Sequence, residues 1–385
     1  MQPIIQLRKG ATARVKQGHP WVFGNDLAQL PNPEWDGEVV ACKDERGRHL
    51  GYGISNHASQ IVWRKIANEP CQLDEDFFRA RVTAAVDRRK GNSLERLIWS
   101  ESDDLPGLIV DRYGDVLVLQ CLTLAMDRHV DLIADLLIEV TGVGVIVARN
   151  DAPVRKKEGL ACEVNVIRGQ CPESTWLMLN GLELSVDLLG GQKTGLYLDQ
   201  RDQYALVASY AKGRNVLDAC CHQGGFALHC KQAEAASVTG VDSSEHALEQ
   251  AKQNAMRNNL KIDWVEMNIF DFFRQREHAT LWDLIILDPP PFAPSKAKLE
   301  SALRGYRELN LQAIKGLRNG GLLATYTCSH IMTYDLFRKV LVEAAADAGR
   351  QLRLREICRQ PEDHPVLMNI PESEYLRGFL VEVTS

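Results

Sequence analysis

The sequence predicts an α/β protein of several domains whose carboxyl-terminal part is a doubly wound parallel sheet. The chain of 385 residues is too long for one ordinary hydrophobic core and suits two or three domains. From residue 191 onward, short apolar strands alternate with helical patterns, as in a parallel sheet that helices cover on both faces. The patterns before residue 191 differ, since they are β-rich at first and then mixed.

Three regions therefore follow one another along the chain. Residues 1–70 contain β-rich runs such as GEVVAC and HLGYGI, separated by a turn at KDERG, and we expect a small β-barrel-like module there. Residues 71–190 alternate helix-like with strand-like pieces, which predicts a central α+β domain. Residues 191–385 form the predicted doubly wound domain, with strands at NVLDACC, SVTGVD, IDWVEMN, DLIILDPP and GLLATYTC.

The composition argues against several classes of protein. Hydrophobic residues make up 45% of the chain, but no apolar run approaches the roughly 18 residues that span a bilayer. The first residues lack the order of a signal peptide, so we expect a cytoplasmic protein without membrane contact. The ten cysteines are scattered without a C-x-x-C pair, so the sequence suggests neither a metal site nor a disulfide framework.

Charge is distributed unevenly along the chain. The net charge of −6 argues mildly against nucleic acid as a partner, and residues 101–139 hold nine acids against two bases. Residues 1–25, by contrast, contain four bases and no acid, and residues 291–318 contain six bases against two acids. Local positive charge is what phosphate contacts require, although a solvated surface explains any one of these runs equally well.

Polar residues stand where the first two strands of the predicted sheet end. Ligands bind at the carboxyl ends of strands in open α/β sheets. The first strand ends at Asp218, and Gly224 and Gly225 follow in a turn that would let the backbone approach a ligand closely. Asp242, at the tip of the second strand, suits a bidentate grip on a ribose diol, with a helix cap as the alternative. The dinucleotide fingerprint G-x-G-x-x-G is absent, which disfavours a nicotinamide-dependent oxidoreductase.

The fourth and fifth strands end in an acid and a cysteine. Asp288 precedes three prolines, which cannot continue a central strand, so this segment must leave the sheet as a stiff loop that holds Asp288 at its edge. The run LLATYTCSH ends with Cys328, where a buried strand gives way to a loop. A free cysteine is most often a small buried hydrophobe, so packing is the alternative to a chemical role for Cys328.

The order of these strand-end features resembles the class I S-adenosylmethionine methyltransferases. The whole chain resembles the bacterial 23S ribosomal RNA 5-methylcytosine methyltransferases of the RlmI type. The residues that carry this resemblance are GHPWVF at 18–23, ESDDLPGLIVDRYGD at 101–115, VRKKEGL at 154–160, GQKTGLYLDQRDQY at 191–204, LDPPPF at 287–292, TCSH at 327–330 and DHPV at 363–366. The resemblance implies an N-terminal PUA RNA-binding domain, a central α+β domain and a Rossmann-like catalytic domain.

The chemistry of cytosine methylation gives roles to the acid and the cysteine. Carbon 5 of cytosine is too electron-poor to attack a methyl sulfonium until a thiolate adds to carbon 6. Cys328 is the candidate thiolate, and Asp288 is placed to hydrogen-bond the ring nitrogen or the amino group and so stabilise the adduct. His330 is a candidate proton acceptor, with a hydrogen bond that satisfies the loop as the alternative.

The resemblance also implies the residues that bind S-adenosyl-L-methionine and RNA. The cofactor residues are Tyr197, Gln200, Asp218, Gly224, Gly225, Phe226, Asp242, Asn268 and Asp288. Asp199 and Arg201 should also pack beside the cofactor, with a structural role as the alternative for Arg201. The RNA residues are Arg14, Lys16, Trp21, Arg155, Lys156 and Lys157, for which a solvated loop or a core position is the alternative. The implied partner is ribosomal RNA, either 23S rRNA or a large-subunit precursor, with a homodimer left open.

Two positions depart from the family pattern. Residue 291 is proline where the family usually has lysine, and Asn268 stands where the third strand often has an acid that binds adenine. An asparagine carbonyl can still accept a hydrogen bond from the adenine amino group.

Two other functions remain open at this point. An N-methyltransferase acting on an exocyclic amine, such as guanine N2, would need an aromatic residue at position 291. It would not need a cysteine at position 328. A ribosome-assembly factor that binds RNA without catalysis would not need the strand-end acids at 218, 242 and 288.

Overall fold

The structure is a computed structural model that describes residues 2–11, 13–172, 175–191, 194–275, 282–292 and 299–385. The chain divides into two compact units. The first unit comprises Met1–Thr175, Val186–Leu198 and Glu362–Ser373, and the second comprises Trp176–Ser185, Asp199–Pro361 and Glu374–Ser385. Both predicted boundaries, at residues 70 and 190, fall inside the first unit, and the division into three domains stays a prediction.

The first unit begins with a five-stranded sheet in the order β1-β3-β4-β5-β2. Its elements are β1 (Ile4–Gln6), α1 (Ala13–Lys16), β2 (Trp21–Phe23), β3 (Val39–Lys43), β4 (His49–Ser55) and β5 (Ile61–Ala67). Its own core contains Val22, Val40 and Trp63, which are fully buried. The β-rich module predicted for residues 1–70 is therefore present.

A second five-stranded sheet, in the order β10-β9-β8-β7-β6, follows in the same unit. Its elements are α2 (Glu75–Asp87), β6 (Leu94–Trp99), β7 (Leu108–Tyr113), β8 (Val116–Cys121), α3 (Leu124–Arg128), α4 (Val130–Thr141), β9 (Val145–Asn150) and β10 (Glu163–Arg168). Only β8 and β9 run parallel, and helices α2 and α4 pack together in its core. This arrangement matches the predicted α+β pattern.

A two-stranded sheet, β11 (Thr175–Leu179) with β12 (Leu182–Val186), precedes the main sheet of the second unit. That sheet has seven strands in the order β15-β14-β13-β16-β17-β19-β18. Its elements are α5 (Arg201–Ala208), β13 (Asn215–Ala219), α6 (Gly225–Gln232), β14 (Ser237–Asp242), α7 (Glu245–Arg257), β15 (Asp263–Glu266), α8 (Ile269–Arg274), β16 (Trp282–Leu287), α9 (Leu299–Gly316), β17 (Leu317–Thr327), α10 (Tyr334–Asp347), β18 (Gln351–Arg359) and β19 (Arg377–Thr384).

Strands β13 to β17 are parallel, as the alternation of strands and helices predicted. Their carboxyl ends therefore meet at one edge of the sheet, where the polar residues of the sequence motifs lie. Strand β19 runs antiparallel to both β17 and β18, so the sheet has an antiparallel end that the sequence analysis did not predict. No helix in the part of the chain that the structure describes is long and apolar enough to cross a membrane.

Candidate active site

The turn between β13 and α6 has an unusual backbone. Cys220 and His222 have φ angles of 65° and 48°, in the left-handed region that non-glycine residues rarely adopt. Gly224 has φ 81°, and a Cβ at this position would lie 2.7 Å from the ring of Trp264. A Cβ on Gly225 would lie 2.5 Å from Tyr204. Both glycines are thus required for packing within the domain, in addition to any approach of a ligand.

Asp218, near the end of β13, is a fully buried acid with one unsatisfied oxygen. Its Oδ2 accepts a hydrogen bond from the Ala227 N–H at 2.9 Å, while its Oδ1 has no hydrogen-bond partner among the residues that the structure describes. Burial raises the pKa of Asp218 to about 8, and the nearby charges of Asp288 and Asp242 also raise it. The three strand-end acids are therefore close enough to influence one another.

Asp242 ends β14 and holds two neighbouring turns in place. Its Oδ2 accepts from the His222 N–H at 2.8 Å, and its Oδ1 accepts from the Ser244 N–H at 2.9 Å. The cap of α7 is Ser244, whose hydroxyl accepts from the Ala247 N–H. Asp242 thus braces the glycine turn, and its oxygens keep further lone pairs for the ribose diol that the sequence analysis assigned to it.

Asn268 is the N-cap of α8. Its Oδ1 accepts from the Phe270 N–H at 2.9 Å, so the oxygen expected to bind adenine already caps a helix. A carbonyl oxygen can accept a second hydrogen bond, and the adenine contact of Asn268 stays a prediction.

Gln200 joins the cofactor motif to the acid loop. It lies in the 3₁₀ turn Leu198–Gln200 before α5, is only 2% exposed, and donates from Nε2 to Asp288 Oδ2 at 2.8 Å. Its Oε1 is buried and makes no hydrogen bond with any part of the chain that the structure describes. The Oε1 atom of Gln200, like Oδ1 of Asp218, is therefore a buried acceptor without a donor among the described residues.

These two acceptors fit the proposed cofactor. S-adenosylmethionine carries a sulfonium cation and an ammonium group with three N–H donors. A buried carboxylate and a buried amide carbonyl without donors cost free energy until such a group reaches them. The residues at this edge of the sheet therefore suit a cationic ligand rich in donors.

The other cofactor residues lie in three different settings. Phe226 is buried between the rings of Tyr204 and Tyr326, at centroid distances of 4.8 and 5.4 Å, so its side chain serves the core. Tyr197 is half-buried and belongs to the first unit. Asp199 accepts from the Tyr375 hydroxyl at 2.8 Å, while Arg201 pairs with Asp202.

Asp288 and Cys328 follow adjacent parallel strands. The register pairs Leu287 of β16 with Thr325 of β17, so both strands leave the sheet side by side. Asp288 and Cys328 are each half-buried, whereas Cys221 and several other cysteines are fully packed. Cys328 thus lies at the ligand edge of the sheet, and its chemical role stays a prediction.

A local turn holds the cysteine. The Thr327 hydroxyl accepts from the Ser329 N–H at 3.3 Å, which closes a short turn around Cys328. His330 is exposed, and its ring lies 5.9 Å from that of Tyr375. The Thr327 hydroxyl also bonds the hydroxyl of Tyr306 at 2.8 Å. Sequence reasoning missed Tyr306, because helical periodicity indicates a buried face and not what a buried hydroxyl contacts.

The residues expected to bind RNA lie in the first unit, and several have partners within the chain. Arg14 and Lys16 form ion pairs with Glu372 and Glu45. Trp21 donates from its indole N–H to Glu101 at 2.7 Å, and the Arg64 guanidinium lies over its ring.

The side chains of the basic turn at 153–158 point partly to the interior and partly to solvent. Arg155 is 1% exposed and donates to carbonyl oxygens of Cys121 and Ala161 and to the carboxylate of Asp127. Lys156 and Lys157 are exposed. Of the three cations, only these two lysines have surface available for phosphate.

Two protein-family models match the chain. A PUA-like domain matches residues 5–68, and an S-adenosylmethionine-dependent methyltransferase domain matches residues 149–370. The second match covers more than half of the chain.

Individual relatives match the chain along its whole length. A protein of Tolumonas auensis named ribosomal RNA large subunit methyltransferase I is 39% identical over 99% of both chains. One of the same name from Shewanella amazonensis is 38% identical over 98% of this chain and 99% of its own.

Solved structures share the fold. A Streptococcus mutans chain described as an S-adenosylmethionine-dependent methyltransferase superposes with a TM-score of 0.85, over 99% of this chain and 100% of its own, at 22% identity. A methyltransferase structure with the same scores and coverage was solved in complex with SAH. From the two family models and the full-length relatives it follows that the chain belongs to the S-adenosylmethionine-dependent methyltransferases with an N-terminal PUA-like domain, in the group named ribosomal RNA large subunit methyltransferase I.

Proposed function

We propose that this methyltransferase modifies carbon 5 of a cytosine in large-subunit ribosomal RNA through a transient covalent bond to Cys328. The names of the full-length relatives support large-subunit rRNA, as 23S rRNA or its precursor, and with it a cytoplasmic location. The observation that carries the cytosine-5 chemistry is that Cys328 follows the strand next to the one that Asp288 follows.

The proposed reaction uses the cysteine first as a nucleophile and then as a leaving group. The Cys328 thiolate bonds to carbon 6, and the electron pair of the carbon 5–carbon 6 double bond becomes available at carbon 5. S-adenosylmethionine would supply the electrophilic methyl group to carbon 5, and the electron pair of the broken sulfur–methyl bond would stay on the cofactor sulfur. Loss of the proton from carbon 5 then restores the double bond as the bond from sulfur to carbon 6 breaks. The thiolate is thereby regenerated, and His330 is the candidate to accept the proton.

Asp288 stabilises the cytosine ring while the cysteine is attached. Gln200 donates to one of its oxygens, which fixes the orientation of the carboxyl group. The remaining lone pairs can accept from the cytosine amino group, whereas a protonated carboxyl group can donate to the ring nitrogen. A positioned hydrogen bond of this kind is most effective in a site that excludes water.

Cofactor binding in this proposal rests on buried acceptors and braced turns. Asp218 and Gln200 offer unsatisfied oxygens to the cationic part of the cofactor. Asp242 would accept from the ribose hydroxyls and Asn268 from the adenine amino group. Gly224, Gly225 and Phe226 shape the turn beneath, and we place Tyr197 beside the cofactor on the resemblance alone.

RNA binding is assigned to the first unit. Lys156 and Lys157 present two exposed cations on a turn that Arg155 and Glu158 anchor from the interior. Arg14, Lys16 and Trp21 complete the proposed surface, with part of their bonding capacity already taken by acids of the chain.

The alternative amine methyltransferase is less well supported. Such an enzyme needs an aromatic ring at position 291 that stacks on the base, but the residue there is the exposed Pro291. The next residue, Phe292, packs against Tyr306 at 4.7 Å and Phe270 at 6.3 Å. Its ring therefore has neighbours within the domain, and a cysteine at position 328 would have no role.

Bisulfite sequencing of rRNA from cells with and without the protein tests the proposed substrate. We expect one 5-methylcytosine of the large-subunit rRNA to disappear in the deletion strain and to return with wild-type protein. A complete set of 5-methylcytosines in the deletion strain would contradict the proposal. An assembly factor without catalysis would, in addition, fail to bind S-adenosylmethionine in a titration.

A further inference from the structure

We propose that Tyr306 is a positioning residue, which holds the loop after Asp288 and the turn around Cys328 at a fixed separation. Its hydroxyl group bonds Thr327, and its ring packs against Phe292. This inference rests on the proposed cytosine-5 reaction and extends it, because that reaction needs both loops to act on one base. Tyr306 belongs to α9 and lies in neither loop.

The hydroxyl group of Tyr306 is hydrogen-bonded to the turn around the cysteine. Its hydroxyl bonds the Thr327 hydroxyl at 2.8 Å, and Thr327 immediately precedes the cysteine. The Thr327 hydroxyl in turn accepts from the Ser329 N–H at 3.3 Å, on the other side of the cysteine.

Ring packing connects Tyr306 to the segment after Asp288. The Phe292 ring lies 4.7 Å from that of Tyr306 at an interplanar angle of 56°. It also covers Gly305, where a Cβ would lie 3.4 Å from the ring. The segment after Asp288 is therefore packed on the same turn of α9 that bonds the cysteine turn.

The environment keeps the Tyr306 hydroxyl protonated. Tyr306 is fully buried, and this burial raises the pKa of its phenol above its ordinary value. The nearby Cys328 and Asp288 act in the same direction, since negative charge on either disfavours a phenolate. A neutral hydroxyl can donate or accept the hydrogen bond that it shares with Thr327, and it does not serve as a base.

Tyr334 provides a matched control. Its hydroxyl donates to the Cys358 carbonyl oxygen at 2.7 Å and so ties α10 to β18 in the same unit. Removing this hydroxyl also deletes one intramolecular hydrogen bond from a tyrosine that is at least partly buried, without touching Thr327 or Phe292. A loss of stability alone should therefore appear in both variants.

The test compares Tyr306→Phe and Tyr334→Phe on RNA that contains 5-fluorocytosine, which traps the covalent adduct because fluorine cannot leave carbon 5 as a proton does. We expect Tyr306→Phe to form the adduct about 10- to 100-fold more slowly, since a small misplacement of reacting groups has effects of that order. Cofactor affinity and the KM for RNA should stay within about twofold, because neither is bound by this hydroxyl. Tyr334→Phe should form the adduct at the wild-type rate.

Substitutions at Thr327 examine the bond from its other end. Thr327→Val should slow adduct formation as Tyr306→Phe does. Thr327→Ser keeps the hydroxyl group and should therefore retain most of the wild-type rate. The double variant Thr327→Val with Tyr306→Phe should be no slower than either of these single variants. Wild-type rates for Tyr306→Phe, or equal losses in Tyr306→Phe and Tyr334→Phe, would overturn the role of Tyr306 and leave the proposed function intact. A wild-type protein that binds the cofactor but forms no adduct would contradict the proposed function itself, and this inference with it.

Discussion

Asp218 illustrates how one buried carboxyl group creates a need for a cationic ligand. Its ionised form is disfavoured by burial and by two neighbouring acids, which is why its pKa rises to about 8. A cofactor with a sulfonium and an ammonium group reverses this balance, because it favours the carboxylate. Binding of the cofactor should therefore expel a proton from Asp218 whenever the pH lies below about 8.

We accordingly predict that cofactor affinity depends on pH through Asp218. As the pH falls below about 8, the affinity of wild-type protein should decrease by up to about tenfold per unit relative to Asp218→Asn, which has no proton to lose. Titration calorimetry between pH 6 and pH 9, in two buffers with different heats of ionisation, measures both the affinity and the proton release. Identical pH profiles for the two proteins would exclude Asp218 from contact with the cofactor.

The same raised pKa gives a prediction for the cofactor-free protein. A carboxyl group whose folded-state pKa is raised contributes stability at low pH, and this contribution is lost as the pH rises through the folded-state value of about 8. Melting temperatures should therefore fall less between pH 6 and pH 9 for Asp218→Asn than for wild type. An equal decrease would show that Asp218 does not carry this titration.

At the scale of elements, the glycine turn depends on Asp242 as well as on its glycines. Asp242→Ala should weaken cofactor binding by about 1.5–3 kcal/mol, the range for hydrogen bonds to a charged group, and should also loosen the turn at His222. Ser244→Ala is the control, because it removes the cap of α7 at a cost of about 1 kcal/mol in stability but keeps the carboxylate. Unchanged cofactor affinity in Asp242→Ala would remove this acid from the binding site.

The elements of the catalytic sheet could be predicted where hydrophobic periodicity is strong. Helix α7, which buries Ala247, Leu248 and Ala251, is one of the helices that the alternating pattern predicted between the strands. Three of the parallel strands end at the expected acids. The antiparallel pair β18 and β19 was not predicted. Parallel strands need crossover helices, which give the sequence its alternation of strand and helix patterns, whereas antiparallel strands do not. The segment between these two strands contains no such helix among its described residues.

Side-chain direction was the harder part of the site to predict. The run of three cations at 155–157 gives no sign that Arg155 turns inward, because this depends on carbonyl oxygens of distant residues such as Cys121. The capping role of Asn268 could have been found, since asparagine before an apolar run is a common helix start. The contacts of Tyr306 depend on tertiary packing and have no signal in the sequence.

At the scale of the whole molecule, our proposal assigns RNA binding to the first unit and methyl transfer to the second. Residues 1–70 cannot be removed as a clean test, since Val39, Ile54 and Ile66 share a core with Phe77 and Phe78 of α2. Point variants on the exposed basic turn leave that core intact.

We predict that Lys156→Ala with Lys157→Ala reduces the salt dependence of RNA binding. Each phosphate contact contributes roughly 0.7–0.9 to the slope of log K against log salt, so the double variant should lower the slope by about 1.5. Lys212→Ala with Lys339→Ala removes the same charge from exposed ion pairs of the second unit and should leave the slope unchanged. Filter binding at several salt concentrations measures both, and equal slopes for wild type and the Lys156 and Lys157 variant would place the phosphate contacts elsewhere.

The central claim is that Cys328 is the nucleophile of a cytosine-5 methyltransferase, and its most direct test is trapping of the covalent intermediate. With S-adenosylmethionine and substrate RNA containing 5-fluorocytosine, wild-type protein should form an adduct that survives denaturing electrophoresis, and mass spectrometry should map it to Cys328. Cys328→Ser should form no adduct and lose turnover while its melting temperature and cofactor affinity stay close to those of wild type. Full methylation of cytosine by Cys328→Ser, or an adduct mapped to Cys220 or Cys221 in the neighbouring turn, would contradict the account.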